Sequence, residues 1–213
     1  MKRSIILIGY SGHAFVVHSI FNSNGFTVVG YCDRGEKSNN PFSLQYFGEE
    51  NGPSALKALQ QNDFFISIGD NTFRKKIQEF LSAKNLFPVN AIHPSAIIDK
   101  SCTIHAQGTM IAAGVCINPF AKIGTGVICN TGSIIEHECI IKDFVHIAPG
   151  TVLCGNVEVG EGTFIGANSV IKEGIKIGNN VVVGAGSVVI KDVPDNVKIA
   201  GNPASLLRTS HKL

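Results

Sequence analysis

Ile128-Cys129-Asn130-Thr131-Gly132-Ser133-Ile134-Ile135-Glu136-His137-Glu138-Cys139-Ile140-Ile141 puts an apolar side chain at 129, 135 and 141, six residues apart. The same step reaches back through Ile123, Ile117 and Ile111. It runs forward through Ile147, Leu153, Val159, Ile165, Ile171, Ile177, Val183 and Val189. All 14 positions are apolar and 13 carry branched aliphatics. In a chain with 44% apolar residues such a run arises by chance about once in 100,000 per register, so it is a hexapeptide repeat. Small or β-branched residues recur four places later, at Ala121, Ser133, Cys139, Thr151, Thr163, Ser169 and Ser187. The place directly after the aliphatic often holds Gly (124, 160, 166, 178, 184) or Asn (118, 130), residues that accept positive φ cheaply. Each hexad therefore reads as a short strand plus a turn. Three hexads close one triangular coil, and the aliphatics stack inside it as a ladder.

Ile92, Ile98 and Ile104 keep the six-residue step, but seven residues separate Ile104 from Ile111. One extra residue near Gln107-Gly108 predicts a bulge or loop there. The parallel β-helix is expected over about 92 to 193, in roughly five to six coils.

Residues 1 to 90 lack the repeat. Ile5-Ile6-Leu7-Ile8 reads as a buried strand ended by Gly9-Tyr10-Ser11-Gly12-His13. A helical pattern follows from Ala14 to Phe21, then a strand from Thr27 to Tyr31 leading into Cys32-Asp33-Arg34. Phe64 to Ile68 is a third strand, and Arg74 to Lys84 a second helix. Residues 35 to 53 read as a long loop, and Phe87 to Pro94 as the hinge into the β-helix. This order predicts a small α/β unit with a parallel sheet over 1–90, followed by the β-helix and a C-terminal tail over 91–213.

The 213 residues carry 18 basic against 16 acidic groups, a balance that gives no reason to expect a nucleic-acid or membrane-surface partner. The apolar run after Met1-Lys2-Arg3-Ser4 stops at Gly9, too short for a signal peptide, and no stretch approaches a membrane span. A cytoplasmic protein is expected. The six cysteines (32, 102, 116, 129, 139, 154) form no C-x-x-C pair and suggest neither a zinc site nor disulfides.

Two places carry chemistry. The Gly9–His13 turn follows a strand, where sheet domains bind phosphates, and Asp33 stands 24 residues beyond Gly9, near where an acidic residue often meets a ribose hydroxyl. The turn matches neither G-x-G-x-x-G nor a Walker loop, and a plain tight turn with a surface Asp accounts for the same residues. The second is Glu136-His137-Glu138, which breaks the pattern of small and aliphatic residues. With Ile135 inward, His137 should face outward. An imidazole beside a carboxylate suits a general base, since the carboxylate fixes one tautomer and raises the basicity of the other nitrogen. A surface histidine between two solvated acids is the bland alternative.

His146 lies nine residues on, half of a three-hexad coil, so the two histidines should sit on different sides of the triangle. They can share a site if chains pack side by side, which motivates a homotrimer. Cys139 falls on the small inward position and is read as structural rather than as an acyl-carrying nucleophile, so a base at His137 would serve direct attack of an acceptor on an acyl group. An oxyanion stabiliser is then needed, His146 or a nearby backbone N–H. His18, His93, His105 and His211 are given bland roles, and no ligand spacing supports a metal at His137, Glu138 and His146.

On these residues the chain resembles the bacterial sugar O/N-acetyltransferases that join a nucleotide-sugar-binding domain to a left-handed β-helix. They include sialic acid O-acetyltransferases and the N-acetyltransferases of nucleotide-linked 4-amino-4,6-dideoxy sugars. The resemblance spans nearly the whole chain. It rests most on Gly9-Tyr10-Ser11-Gly12-His13, Ile68-Gly69-Asp70-Asn71 with Arg74-Lys75-Lys76, Ile134 to Cys139, and Gly201-Asn202-Pro203-Ala204. It implies a mixed fold, a Rossmann-like unit before a left-handed helix, and acetyl-CoA as co-substrate with no metal. It implies His137 as general base and Glu138, rather than Glu136, as its carboxylate. It also implies His146, Ala167 and Ala185 against acetyl-CoA, and Ser11, Gly12, His13, Asp33, Arg34, Gly69 and Asn130 against the nucleotide sugar. The active sites of the family lie between subunits of a trimer. The expected reaction is N-acetylation of a nucleotide-linked 4-amino sugar. O-acetylation of a sugar hydroxyl, or a non-catalytic nucleotide-sugar scaffold, are the alternatives. Tyr10 and Ala14 stand where relatives usually have Ala and Gly, and Arg34 where some have a second Asp. UDP, dTDP, GDP and CMP therefore all remain open as the nucleotide.

Overall fold

The computed structural model describes residues 4–207. Met1 to Arg3 and His211 lie outside them. Strands β1 (Ser4–Ile8), β2 (Thr27–Cys32), β3 (Gln45–Tyr46) and β4 (Asp63–Ile66) form one parallel sheet in the order β3-β2-β1-β4. Helices α1 (Gly12–Ser23), α2 (Pro53–Gln61) and α3 (Asn71–Ser82) connect them. β1 is apolar throughout because both its faces are covered. Ile6 and Ile8 pack with Ala55, Leu59 and Leu81 of α2 and α3, while Ile5 and Leu7 join α1 and the first β-helix coils in one continuous core.

Two elements escape the reading of the sequence. The segment read as one loop contains β3, and α2 begins where that loop ends. The third strand is Asp63–Ile66, shorter than expected. The hinge also ends earlier, since Ala91–Ile92 already pairs with Met110–Ile111 as the first rung.

From there the chain winds as a left-handed parallel β-helix with two-residue strands. Its first face runs through Met110–Ile111, Ile128–Cys129, His146–Ile147, Phe164–Ile165 and Val182–Val183 to Lys198–Gly201, and ends on antiparallel Ala204–Leu206. The last rungs thus lie beyond 193. The second face is Ile97–Ile98, Cys116–Ile117, Ile134–Ile135, Val152–Leu153, Val170–Ile171 and Val188–Val189. The third runs from Thr103–Ile104 to Lys176–Ile177. Strands this short carry too little twist to impose the usual right-handed crossover. Partners are 18 residues apart through the middle coils, as in Cys129 with Ile147, but 19 apart at Ile92–Ile111, Ile98–Ile117 and Ile104–Ile123, and 16 apart at Val183–Ile199. The extra residue near Gly108 shifts every rung of the first coil. The ladder is sealed, with Ile135, Ile147, Leu153, Val159 and Ile165 at 0% exposure. Burial of each such side chain contributes roughly 1.5–3 kcal/mol.

The glycines after the aliphatics serve a different purpose from the one expected. Positive φ falls two places later, at every sixth residue from Gly108 to Gly186, and includes Asn156, Asn168, Asn180, Phe120, Glu138 and Phe144. Gly160 and Gly166 have no positive φ. A Cβ at Gly166 would stand 2.5 Å from the Ala185 nitrogen, and one at Gly160 2.5 Å from the Gly178 carbonyl carbon. These positions need a missing side chain because the next coil stacks directly on them. Gly166→Ala is therefore expected to cost about 1–3 kcal/mol by overpacking. Gly174→Asn, at a positive-φ corner with open space around it, is expected to cost less than about 1 kcal/mol. Denaturant midpoints of the two variants check the order; equal losses would refute this account.

The faces differ on their outer sides. The N-terminal unit covers the first, burying Ala91, Met110 and Ile128 fully. The third carries Lys122, Glu158 and Lys176. The second presents Ile97, Cys116, Ile134, Val152, Val170 and Val188, an apolar column with Ile97 70% exposed.

Candidate active site

The sheet order places a switch point between β1 and β4, whose connections leave in opposite directions, and ligands bind beyond the carboxyl ends there. A cleft of about 520 Å³ opens at that place. Ser11, Asp33, Arg34 and Gly69 line it, together with Glu50, Phe73 and Lys76, which the sequence reading did not select. Gly9 turns the chain out of β1 with φ +86, and a Cβ there would meet Ile68 at 2.5 Å. Asp33 closes the floor: its carboxylate accepts from Tyr10 N (2.9 Å) and Arg34 N (2.7 Å) and pairs with Lys37 Nζ (3.0 Å). The Arg34 guanidinium lies 5.2 Å from the centre of the Phe73 ring. Tyr10 turns inward, stacking on Tyr31 at 4.2 Å. Gly12 opens α1 with empty space where a side chain would be.

His13 is not in the cleft wall. Its ring faces His146 at 6.2 Å, and its Nε2 is buried without a partner. His146, on the first face, is 8% exposed. Phe164 packs edge-on against it at 5.0 Å. Its Nδ1 lies 3.2 Å from the Gly69 carbonyl oxygen, which only accepts, so Nδ1 carries the proton and Nε2 the lone pair. Asn130 fits that tautomer, with Oδ1 accepting from Thr131 N (2.8 Å) and Nδ2 turned to His146 Nε2 at 3.4 Å. Burial, with the neighbouring Arg74 and His13, pushes His146 down to about 4, and burial with Arg74 does the same to His13. A neutral ring whose one proton is committed to Gly69 cannot donate to an oxyanion. In this geometry His146 presents Nε2 as an acceptor, which differs from the donor role toward an oxyanion expected of it.

Both folded-state values lie below the ordinary 6.5, so between about pH 4 and 6.5 the unfolded chain binds more protons and stability rises with pH. The unfolding free energy is expected to fall by about 5 kcal/mol from pH 7 to pH 4.5, roughly half from each histidine. His13→Gln and His146→Gln should each flatten that slope. Denaturant midpoints across the range test this, and a slope unchanged in both variants refutes it.

His137 stands at the corner between the second and third faces. Its side chain is 52% exposed, and its Nδ1 lies 3.2 Å from Glu138 Oε2. The ring sits over Gly155 of the next coil, where a Cβ would collide with it. Glu138 occupies a corner position with φ +60 that usually holds Gly or Asn. An outlier of this kind next to a chemical group is typical of functional sites. The corner between the first and second faces carries Asn130, Ala167 and Ala185, the last two one coil apart. His137 and His146 share no contact within the chain, and the apolar second face lies between their corners.

Cys139 is inert, its thiol buried, pushed up to about 11 and donating to Cys154 O at 3.2 Å. Among the described residues no group of three His, Cys, Asp or Glu is placed to hold a metal ion, and no helix is long and apolar enough to cross a membrane. Arg74, in the segment read as the second helix, is fully buried.

Residues 4–81 match the PglD N-terminal domain family, and residues 156–191 the six-repeat bacterial transferase hexapeptide family. The chain is similar to GDP-perosamine N-acetyltransferase of Escherichia coli O157:H7, at 30% identity over 73% of this chain and 72% of that one. Its structure is similar to a His-to-Asn variant of perosamine N-acetyltransferase from Caulobacter crescentus in complex with CoA and GDP-perosamine. That match has TM-score 0.90 and 34% identity, over 96% of this chain and 97% of that one. It is also similar to the acetyltransferase domain of PglB from Neisseria gonorrhoeae FA1090 in complex with acetyl coenzyme A (TM-score 0.89, 30% identity, 97% and 100% covered). The chain spans about half the length, 54%, of the Buchnera aphidicola (Schizaphis graminum) serine acetyltransferase it also matches at 32% identity.

Proposed function

Because the chain belongs to the bacterial sugar acetyltransferases that join a PglD-type N-terminal domain to a hexapeptide-repeat β-helix, we propose that it moves acetyl from acetyl-CoA to the amino group of a nucleotide-linked 4-amino-4,6-dideoxy sugar. Residues 1–90 hold the nucleotide sugar, and residues 91–213 carry out the transfer. The observation that carries this reading is the exposed His137–Glu138 pair at one edge of a bare apolar face whose other edge holds Asn130 and His146.

Pairing of that face with a neighbouring chain buries Ile97, Val152 and Val170. It also brings the His137 corner of one chain against the Asn130 corner of the next. The protein works in this reading as a cytoplasmic homotrimer with three composite sites. Ser11, Gly12, His13, Asp33, Arg34, Gly69 and Asn130 serve the nucleotide sugar, and His146, Ala167 and Ala185 the acetyl-CoA. Glu138 holds the Nδ1 proton of His137 and leaves Nε2 as the base. The sugar amine attacks the thioester carbonyl as Nε2 takes its proton. The tetrahedral intermediate collapses, the C–S bond breaks, and the CoA thiolate recovers the proton from the imidazolium. Amide and free CoA result.

Thiol release from acetyl-CoA, measured over a panel of UDP-, dTDP-, GDP- and CMP-linked amino sugars, tests the proposal. The expected result is release with one of them and a product 42 mass units heavier (about one acetyl group) that survives mild base. A base-labile product moves the reading to a sugar hydroxyl. No release above buffer with any of them refutes the enzyme.

A further inference from the structure

Arg74 is among the largest fully buried side chains of the described residues, and all five of its hydrogen bonds end on neutral oxygens. Nε donates to Gly126 O (2.8 Å). Nη1 donates to Ile68 O and Gly69 O (both 3.1 Å). Nη2 donates to Asn71 Oδ1 (2.8 Å) and Phe144 O (3.0 Å). A buried guanidinium hydrogen-bonded to carbonyls and an amide, with the Asp70 carboxylate acting on it only through space, is costly to keep, and an apolar residue of its size would fill the same volume more cheaply. Its contacts show what the charge secures. Two acceptors belong to the β4–α3 loop that lines the cleft, and two to a β-helix corner, so Arg74 fixes that loop on the helix. One of the loop carbonyls, Gly69 O, receives both Arg74 Nη1 and His146 Nδ1.

We propose that Arg74 is a positioning residue for acetyl transfer: it pins the Gly69 carbonyl against His146 Nδ1 and so keeps His146 Nε2 as a hydrogen-bond acceptor toward acetyl-CoA. The statement rests on the reading above that His146 faces the co-substrate. It adds the chemistry of the contact. Nε2 exchanges its long contact with Asn130 Nδ2 (3.4 Å) for an N–H of the ligand, such as an amide of the pantetheine arm, and offers nothing to the thioester oxygen. The groups packed on the ring agree. They are His13 from α1, Arg74 from α3, the Gly69 carbonyl from the loop, Phe164 from the next coil and Asn130 from the previous one. None of these is a carboxylate that would stabilise an imidazolium.

Histidine-selective ¹⁵N labelling, with His146 assigned through His146→Gln, reads the tautomer directly. The wild type should show protonated Nδ1 and bare Nε2 with no change from pH 8 to about pH 5. Protonated Nε2, or a midpoint near 6.5, overturns the proposal without any variant. Arg74→Lys keeps the charge but not the fork. It is expected to fold as a trimer, to average the His146 tautomers, and to lose at least about tenfold in kcat/KM, chiefly through KM for acetyl-CoA. A variant that only melts earlier, with His146 tautomer and KM unchanged, would mean that Arg74 merely supports packing, and the proposal falls. Absence of transfer by the wild type removes the underlying reading and the proposal with it. Normal wild-type transfer beside an indifferent variant removes the proposal alone. If Arg74→Lys does not fold, the wild-type tautomer decides.

Discussion

His137→Ala lowers kcat/KM for acetyl transfer by about 100-fold or more, the usual contribution of a positioned general base, and leaves the fold untouched. The two halves of this expectation come from the same geometry. The side chain is half exposed, bonded to Glu138 and resting on Gly155, so its removal opens no core cavity. The thermal midpoint should stay within about 2 °C. Glu138→Gln provides a finer test, because Gln meets the same φ +60 at that corner and removes only the charge. Without the carboxylate the Nδ1–H tautomer is no longer held in place, so a loss of about 10-fold is expected, chiefly in kcat. Steady-state rates with the acceptor found by thiol release check both. If His137→Ala kept kcat/KM within about threefold, the base would have to be sought elsewhere.

The ladder could be read from the chain because it is a demand on single positions. The inward place admits only an apolar side chain, so 14 such places in register speak clearly, and Glu136-His137-Glu138 stands out as the break. The glycines misled because two physical causes leave the same letter. At Gly166 the next backbone excludes a Cβ, whereas at Gly174 the backbone needs φ > 0. Asn, Glu and Phe fill other corners and hide the second cause. Helix α2 did leave a local signal, Pro53 at its first turn and Ala55, Ala58 and Leu59 at helical spacing, but it adjoins a polar loop and is short. The two-residue β3 exists only through its pairing with Gly30 and Tyr31, and no local pattern announces that. Arg74 is the sharpest case. It sits beside Lys75 and Lys76 in a segment read simply as a helix, and its partners at Gly126 and Phe144 lie 52 and 70 residues away. Only tertiary structure brings the acceptors of a buried cation together. The acceptor role of His146 likewise depends on a carbonyl 77 residues distant.

Mixing two inactive variants restores activity if the site is built from two chains. His137→Ala lacks the base and His146→Ala lacks the acetyl-CoA contact, so homotrimers of either are expected to be nearly inert. In trimers co-refolded from equal amounts, each junction draws one corner from each neighbour at random. About one junction in four then combines an intact His137 with an intact His146, and about a quarter of wild-type turnover should return. A site contained within one chain gives no recovery, since every chain carries a defect. The separation of the two histidines favours recovery. His137 touches Glu138 and Gly155, His146 touches Gly69, Asn130 and Phe164, and the apolar second face lies between them. The same face supplies the control. Val152 points outward from it between Ile134 and Val170, so Val152→Glu puts a charge into the junction without entering the ladder. Light scattering should show a folded monomer, with turnover lost and nothing recovered on mixing. Full activity in a monomeric Val152→Glu protein would place both histidines' chemistry within one chain and end the composite site.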